Sequence, residues 1–182
     1  MLPQTVPIHR LTVDDVMGMV RAGILDEHAR VELVDGVLVE MTAPGRQHGG
    51  AVEWLATHFY KALGDGYRVR VQDTLVTPGR NFLLPDLMVI EPLPRDRLPD
   101  GALLVVEVAY TSRARDVEKS ETYAAMGVPE YWIVDVDRDD VLVHRAPRAG
   151  AYTSVERSTP GDLITPLVDA PAVDVSALLG RA

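Results

Sequence analysis

Residues 83–119 read LLPDLMVIEPLPRDRLPDGALLVVEVAYTSRARDVEK, and this stretch holds two short apolar runs that each carry a carboxylate. Asp86 follows Pro85 and opens the first run, whereas Glu107 lies inside the second. Lys119 follows Glu107 by twelve residues (119 − 107), on a segment with helical character. Two acids on neighbouring strands and a nearby lysine are the minimum set of side chains for holding a magnesium-like ion against a phosphate. We therefore expect the rest of the chain to position these three residues.

The second apolar run, residues 103–108, shows almost no alternation of apolar and polar residues. Such a run predicts a strand that is buried on both faces. A glutamate inside this strand is unfavourable unless it is paired, protonated or bound to a cation. Glu107 is therefore the least ordinary residue of the chain.

Composition predicts one globular domain that spans residues 1–182, since this length suits a single sizeable core. No apolar run approaches the roughly 20 residues that cross a bilayer, and the N-terminal residues lack a signal pattern. The absence of cysteine excludes disulfides and thiolate metal sites. We expect a cytoplasmic protein that does not bind membranes.

The net charge of −9 argues against a broad, sequence-independent grip on nucleic acid. It does not exclude a nuclease, because a site that collects carboxylates for a metal is acidic until the cation binds. Arg113, Arg115 and Lys119 cluster just after Glu107, where a phosphate would approach. The alternative is that these three are solvated charges on a helix.

Two helices are predicted in the N-terminal half. The first covers residues 12–22, with Thr12 as its cap and Asp15 in the capping-box position. The second covers residues 49–63, and His48 stands at its N-terminal edge, where exposed N–H groups favour an anion. A lone histidine is more often structural or simply exposed, so both interpretations of His48 stay open.

A β-hairpin is predicted at residues 31–41, where two alternating apolar runs flank Asp35 and Gly36. Glu32 and Glu40 lie on its strands. We interpret Glu40 as facing outward, and for Glu32 the outward position and a functional one both remain open.

The remaining pattern predicts a mixed α/β fold with a central β-sheet flanked by helices. The Glu107 strand, a helix at 113–126 and a strand at 128–136 form a βαβ crossover, so this part of the sheet should be parallel and right-handed. Further strands are expected at 67–77, 137–146, 151–159 and 163–169, with a closing helix at 174–182.

Asp86 and Glu107 could share one magnesium ion, with the peptide oxygen of Val108 as a third ligand. Lys119 could orient or deprotonate the attacking water, or stabilise the charge that develops on phosphorus. Alternatively, Lys119 pairs with a helix neighbour such as Asp116 and has no chemical role.

Several stretches resemble a known family. Pro85-Asp86, followed by the strand-borne Glu107-Val108, is similar to the PD-(D/E)XK restriction-endonuclease-like nucleases. More specifically, the chain resembles the Uma-type family of putative restriction endonucleases, formerly a domain of unknown function. The resemblance covers most of residues 12–180 and rests on VELVDGVLVEM, HGGAVEWLATHF, LLPDLMVI, VLVHRAP and, most specifically, LLVVEVAYTSRARDVEKSETYAAMGVPEYWIVD.

The resemblance implies a restriction-endonuclease-like fold with Asp86 and Glu107 as metal-binding acids. The superfamily usually has its lysine two residues after the acid, where this chain has Ala109. In the Uma-type proteins the lysine stands on the following helix, which corresponds to Lys119.

The resemblance also implies two auxiliary residues. Glu32 matches a glutamate before the Asp-Gly turn, and His48 matches a histidine at the helix start. One departure concerns residues 109–112, where many relatives carry Ser-Pro and this chain has Ala-Tyr-Thr-Ser.

Two functions follow as hypotheses. The first is a Mg²⁺- or Mn²⁺-dependent endonuclease that hydrolyses DNA phosphodiester bonds, possible as a homodimer by analogy with the superfamily. The second is a catalytically inactive module on the same scaffold, which binds nucleic acid or a protein.

Overall fold

The computed structural model describes residues 9–41, 45–77, 81–110 and 112–181. Within these residues the helices are α1 Val13–Arg21, α2 Arg46–Ala62, α3 Arg113–Ala125 and α4 Val175–Leu178. The first six strands are β1 Val31–Val34, β2 Val37–Glu40, β3 Arg68–Val71, β4 Leu75–Thr77, β5 Asn81–Leu83 and β6 Leu87–Ile90. The other six are β7 Leu104–Ala109, β8 Glu130–Asp135, β9 Asp140–Arg148, β10 Ala151–Ser158, β11 Leu163–Ile164 and β12 Val173–Asp174.

A six-stranded mixed sheet forms the centre, in the order β10-β9-β8-β7-β6-β3. Only β7 and β8 run parallel among its pairs, and α3 connects them, so the predicted βαβ crossover is confirmed. A second sheet, in the order β2-β1-β5-β4, contains the N-terminal hairpin, and β11 pairs with β12. The predicted mixed α/β architecture is confirmed.

The middle strands of the central sheet, β6 to β8, are buried on both faces, as the unalternating pattern of β7 predicts. Leu104, Val106 and Val108 pack in the core cluster that contains the α2 residues Leu55 and Phe59. Val105 and Ala109 pack in a separate cluster with Tyr123 of α3. Because side chains alternate along a strand, Glu107 shares the α3 face with Val105 and Ala109.

The local turn and cap signals are confirmed at the N-terminus. Thr12 caps α1 and forms the reciprocal capping box with Asp15. Asp35 and Gly36 adopt φ angles of 48° and 70° between β1 and β2, as a tight hairpin turn requires. A side chain at position 36 would also meet Arg10, since a Cβ there would lie 2.6 Å from the Arg10 Cβ.

The prediction of one strand over residues 67–77 is wrong. The segment divides into β3, at the edge of the central sheet, and β4, at the edge of the second sheet. Gln72 lies between them with a φ of 49°, and its N–H donates to the Asp86 carbonyl at 3.2 Å. An alternating pattern reports which faces are buried but carries no signal for a bend that moves the chain to another sheet.

Helix α2 begins at Arg46, earlier than the sequence predicts, so His48 lies in its first turn. None of the described helices combines the length and apolar character that crossing a membrane requires. That the whole chain forms one domain stays a prediction, since it includes residues outside the described ranges.

Candidate active site

Asp86 and Glu107 come together because their strands are antiparallel neighbours. The register of β6 and β7 pairs Leu87 with Val106, and each acid lies one position beyond this pair. Opposite residues of an antiparallel pair project from the same face, so both carboxylates point to the α3 side of the sheet. They are almost completely buried, with exposed fractions of 5 % for Asp86 and 3 % for Glu107.

Helix α3 supplies two donors to Glu107. The Lys119 Nζ and the Tyr123 hydroxyl donate to Glu107 Oε1 at 2.9 and 2.8 Å. Lys119 and Tyr123 are four residues apart, a spacing that places them on one face of the helix. Glu107 Oε2 has no hydrogen-bond donor among the described residues, and it is therefore the oxygen that a ligand can reach.

Glu32 also belongs to this group. Its Oε1 accepts hydrogen bonds from the Lys119 Nζ at 2.8 Å and from the Leu84 N–H at 3.2 Å, and the residue is 1 % exposed. The outward-facing alternative for Glu32 is therefore wrong, whereas Glu40 is exposed as expected. Strand β1 belongs to the second sheet, and the hydrogen bond from Lys119 of α3 places its Glu32 beside Glu107 of the central sheet.

Lys119 bridges two carboxylates from different sheets. Its ion pairs within the described ranges are with Glu32 and Glu107, and both are buried. The expectation that Lys119 pairs with a helix neighbour such as Asp116 is therefore wrong, and the chemical role of Lys119 stays a prediction.

Asp86 is held by three donors or potential donors. The Val108 N–H donates to Oδ2 at 2.9 Å, the His48 Nε2 lies 2.9 Å from the same oxygen, and the Gln72 amide approaches Oδ1 at 3.4 Å. The anion that His48 meets at the start of α2 is thus the Asp86 carboxylate. His48 Nδ1 is buried without a partner in the described part of the chain.

Burial and surplus negative charge raise the pKa of Glu107 to about 8. Burial is the largest cause; the Lys119 ammonium opposes it, and the carboxylates of Asp86, Asp116 and Glu32 add to it. Burial alone would lower the pKa of Lys119, but Glu107 and Glu32 outweigh it and raise that pKa above the ordinary lysine value. Lys119 is therefore a cation at neutral pH.

Arg113 does not face this site, contrary to the sequence-based expectation. Its Nη1 donates to Asp135 at 2.7 Å and to Asp140 at 2.6 Å. Asp135 is the last residue of β8 and Asp140 is the first residue of β9. A helix start offers several directions to a long side chain, and the two buried aspartates determine which one Arg113 takes.

The donor set fits a magnesium-like ion. No group of three or more His, Asp or Glu side chains within the described ranges is arranged to hold a metal. Magnesium, however, needs only one or two carboxylates together with water and substrate oxygens. Glu107 Oε2 and the weakly bonded Asp86 Oδ1 are available, and the Val108 carbonyl points toward β6 with its N–H.

The sequence did not predict that Gln72 belongs to the site or that Tyr123 contacts Glu107. The spacing from Lys119 to Tyr123 could have placed Tyr123 on the face that meets Glu107. Gln72 carries no comparable signal, since its contact with Asp86 depends on the bend between β3 and β4.

Comparison with known proteins gives a family and a fold. The profile of the Uma2 family, described as putative restriction endonuclease, matches residues 22–176. A search of the curated proteins found no match. A crystal structure from Anabaena variabilis ATCC 29413, described as a putative nuclease of the family DUF820, is similar to this chain with a TM-score of 0.77. The identity is 15 %, and the alignment covers 96 % of this chain and 99 % of that one.

The structural likeness, at this low identity, shows the fold, and the predicted restriction-endonuclease-like fold is thereby confirmed. The profile match includes Glu32, His48, Asp86, Glu107 and Lys119 within its boundaries. Because the match covers most of the sequence, this chain belongs to the Uma2 family of putative restriction endonucleases.

Proposed function

We propose that this protein is a divalent-metal-dependent endonuclease that hydrolyses DNA phosphodiester bonds. The observation that carries the proposal is the meeting of Asp86, Glu107 and Lys119, which come from two neighbouring strands and the helix packed against them. The family and the fold support a nuclease independently of this geometry.

Asp86, Glu107 and the Val108 carbonyl would hold Mg²⁺ or Mn²⁺. When bound, the ion lowers the pKa of a coordinated water and neutralises charge on the scissile phosphate. Val108 N–H and His48 fix the Asp86 carboxylate, and Tyr123 fixes that of Glu107.

Lys119 acts in this proposal as a cation and not as a base. The raised pKa keeps its ammonium group protonated at neutral pH, which favours stabilisation of negative charge developing on phosphorus. Glu32 holds the Lys119 Nζ through its own ion pair at 2.8 Å, so in this proposal Glu32 positions Lys119 without contacting the substrate.

A second candidate is the catalytically inactive module that binds nucleic acid or a protein. One observation favours it: Glu107 receives two hydrogen bonds from the protein itself, from Lys119 and Tyr123. A binding protein on this scaffold would retain these contacts as part of its core.

The test is cleavage of supercoiled plasmid DNA by the purified protein with Mn²⁺, with Mg²⁺ or with a chelator. The wild type should nick or linearise the plasmid only with a divalent ion, and Glu107→Gln should reduce the rate at least about a hundredfold. Glu118→Gln is the matched control, because Glu118 is an exposed neighbour of Lys119 on α3. Binding of DNA without any cleavage would favour the inactive module.

The homodimer and the cytoplasmic location stay predictions. Sedimentation velocity of the purified protein, alone and with duplex DNA, measures the first.

A further inference from the structure

A cavity of about 200 Å³ lies beside the candidate active site. Gln72 and Leu84 line it, and each also contacts a site carboxylate: the Gln72 amide approaches Asp86 and the Leu84 N–H donates to Glu32. The cavity and the site are therefore adjacent and share Gln72 and Leu84. One extended ligand would be able to occupy both.

Arg30 supplies a cation to this cavity. It directly precedes β1, and its carbonyl accepts the Met41 N–H at 2.9 Å, which extends the hairpin pairing by one residue. Because residues two apart on a strand share a face, Arg30 and Glu32 project to the same side, roughly 6.6 Å apart along the chain.

The Arg30 guanidinium is not neutralised within the described part of the chain. Its Nε is buried and has no hydrogen-bond partner there, and no ion pair involves it. A buried donor without an acceptor is unfavourable, and such a group in a native structure indicates a missing partner. Lys119 and Arg113 differ, since each already binds two carboxylates.

The surroundings of Arg30 favour an anionic ligand. Glu27 and His28 also line the cavity, but both are exposed and their side chains pair with each other at 3.6 Å. The guanidinium fork matches a phosphate group in two parallel hydrogen bonds. A nucleic acid held with one phosphate at Asp86 and Glu107 carries its next phosphate on the same strand, and that phosphate is a candidate anion for the neighbouring cavity.

The backbone at Gln72 supports a functional role for the residues that the cavity and the site share. Its φ of 49° lies in the left-handed region, which is unfavourable for a glutamine, and the bond from its N–H to the Asp86 carbonyl holds it there. Strained residues of this kind concentrate at binding sites, because the surrounding structure must over-determine them.

We propose that Arg30 binds the backbone phosphate adjacent to the one that is cleaved, in the cavity walled by Gln72 and Leu84. This inference rests on the proposed nuclease function, because that function places a phosphate at Asp86 and Glu107.

The first experiment measures the affinity of wild type and Arg30→Gln for a fluorescent duplex oligonucleotide at several salt concentrations, with Ca²⁺ or a chelator present. Loss of one phosphate contact should lower the slope of log K against log salt by about 0.9. Arg148→Gln is the matched control. Arg148 is an exposed residue of the β9–β10 hairpin, and it lies at the opposite end of the central sheet from the site. Arg30→Lys, which retains the charge, should recover most of the slope.

The second experiment removes the charge from the DNA. A methylphosphonate linkage next to the cleaved bond should raise the KM of the wild type about tenfold and leave that of Arg30→Gln unchanged. The same linkage several nucleotides away should affect both proteins equally. Thermal unfolding of each variant shows whether it is folded. Arg30→Lys separates the loss of charge from the loss of packing, because lysine retains the charge and most of the aliphatic side chain.

The outcomes separate the two proposals. Equal salt slopes for wild type and Arg30→Gln overturn the assignment of Arg30, even if the wild type cleaves DNA. A reduced slope in the variant together with no cleavage by the wild type supports the phosphate site and overturns the nuclease. A wild type that does not bind DNA overturns both.

Discussion

Two groups of buried acidic side chains lie at the same end of the central sheet, and they are neutralised differently. The first, the site cluster, consists of Glu32, Asp86, Glu107 and Lys119. The second, the arginine cluster, consists of Asp135 and Asp140 with Arg113 and Arg157. Both groups are reached from α3, by Lys119 in one case and Arg113 in the other.

The balance of charge distinguishes the two clusters. Asp140 binds Arg113 and Arg157 at 2.6 Å each, and Asp135 binds Arg113 at 2.7 Å, so two acids face two hydrogen-bonded guanidinium groups, with the exposed Arg138 a third at 3.8 Å from Asp135. In the site cluster three acids are grouped with one ammonium group; burial raises the pKa of Glu107, and the carboxylates of Asp86, Asp116 and Glu32 add to this. A balanced buried cluster leaves no charge uncompensated, whereas a buried surplus of carboxylate is stabilised further by a cation from outside.

The largest expected difference between the clusters is in catalysis. Lys119→Met should lower kcat by about a hundred- to a thousandfold, since it removes one group that stabilises developing charge. Arg157→Met, the corresponding loss in the arginine cluster, should leave kcat within about twofold once folding is complete. Plasmid cleavage under saturating Mn²⁺ measures both. Equal losses in the two variants would mean that Lys119 acts only through stability.

The second prediction concerns folding. Asp140→Asn leaves two arginines facing one acid and should cost about 3 kcal/mol, which lowers Tm by roughly 6–12 °C. This is the low end of the range for a broken buried pair, because Arg157 is 60 % exposed and partly solvated. Asp86→Asn should cost less than half as much. Thermal unfolding by circular dichroism compares the two, and a larger loss for Asp86→Asn would contradict the contrast between the clusters.

The third prediction uses the metal itself. Mn²⁺ at about a hundred times its dissociation constant should stabilise the wild type by about 2.7 kcal/mol, or roughly 5–10 °C. Glu107→Gln should lose most of this shift, while Asp140→Asn should keep it relative to its own metal-free Tm. Differential scanning calorimetry with and without Mn²⁺ measures the shifts. An equal gain in Glu107→Gln would place the metal elsewhere.

The smallest predicted effect is on the pH dependence of stability. Between pH 4.5 and about 8 the folded protein retains a proton on Glu107 that the unfolded chain has lost. Stability therefore falls as pH rises through this window, because the folded state binds more protons than the unfolded state. Glu107→Gln removes this contribution. Between pH 5 and pH 8 its free energy of unfolding should therefore rise by about 1 kcal/mol or more relative to that of the wild type. Urea unfolding at the two pH values measures the difference, and parallel profiles would refute the raised pKa.

The elements that follow from local chemistry could be predicted from the sequence. Three of these elements depend only on residues close together in the sequence. They are the Thr12–Asp15 cap, the Asp35–Gly36 turn and the buried strand β7, which is a continuous apolar run. The crossover through α3 follows from the strand–helix–strand order of this part of the sequence. The bend at Gln72 does not, because the apolar–polar alternation of residues 68–72 carries no signal for a change of sheet.

The site could be predicted only in part, for a related reason. Asp86 and Glu107 stand out because each interrupts or borders an apolar run. The role of Lys119 came from the family resemblance, since nothing local separates it from the other charges of α3. Arg30 carried no signal at all, because an arginine before a hairpin strand is ordinarily solvated.

The sequence by itself determined the strands that carry Asp86 and Glu107, their burial, and the helix that follows them. Only the tertiary structure decided which charges meet: Lys119 binds Glu32, 87 residues away in the chain, and not its neighbours on α3. The physical reason is that hydrophobic periodicity and helix capping are local properties, whereas an ion pair between α3 and a strand of the second sheet depends on how these elements pack. The same packing leaves more acids in the site than its lysine balances, and that surplus is what the proposed metal would neutralise.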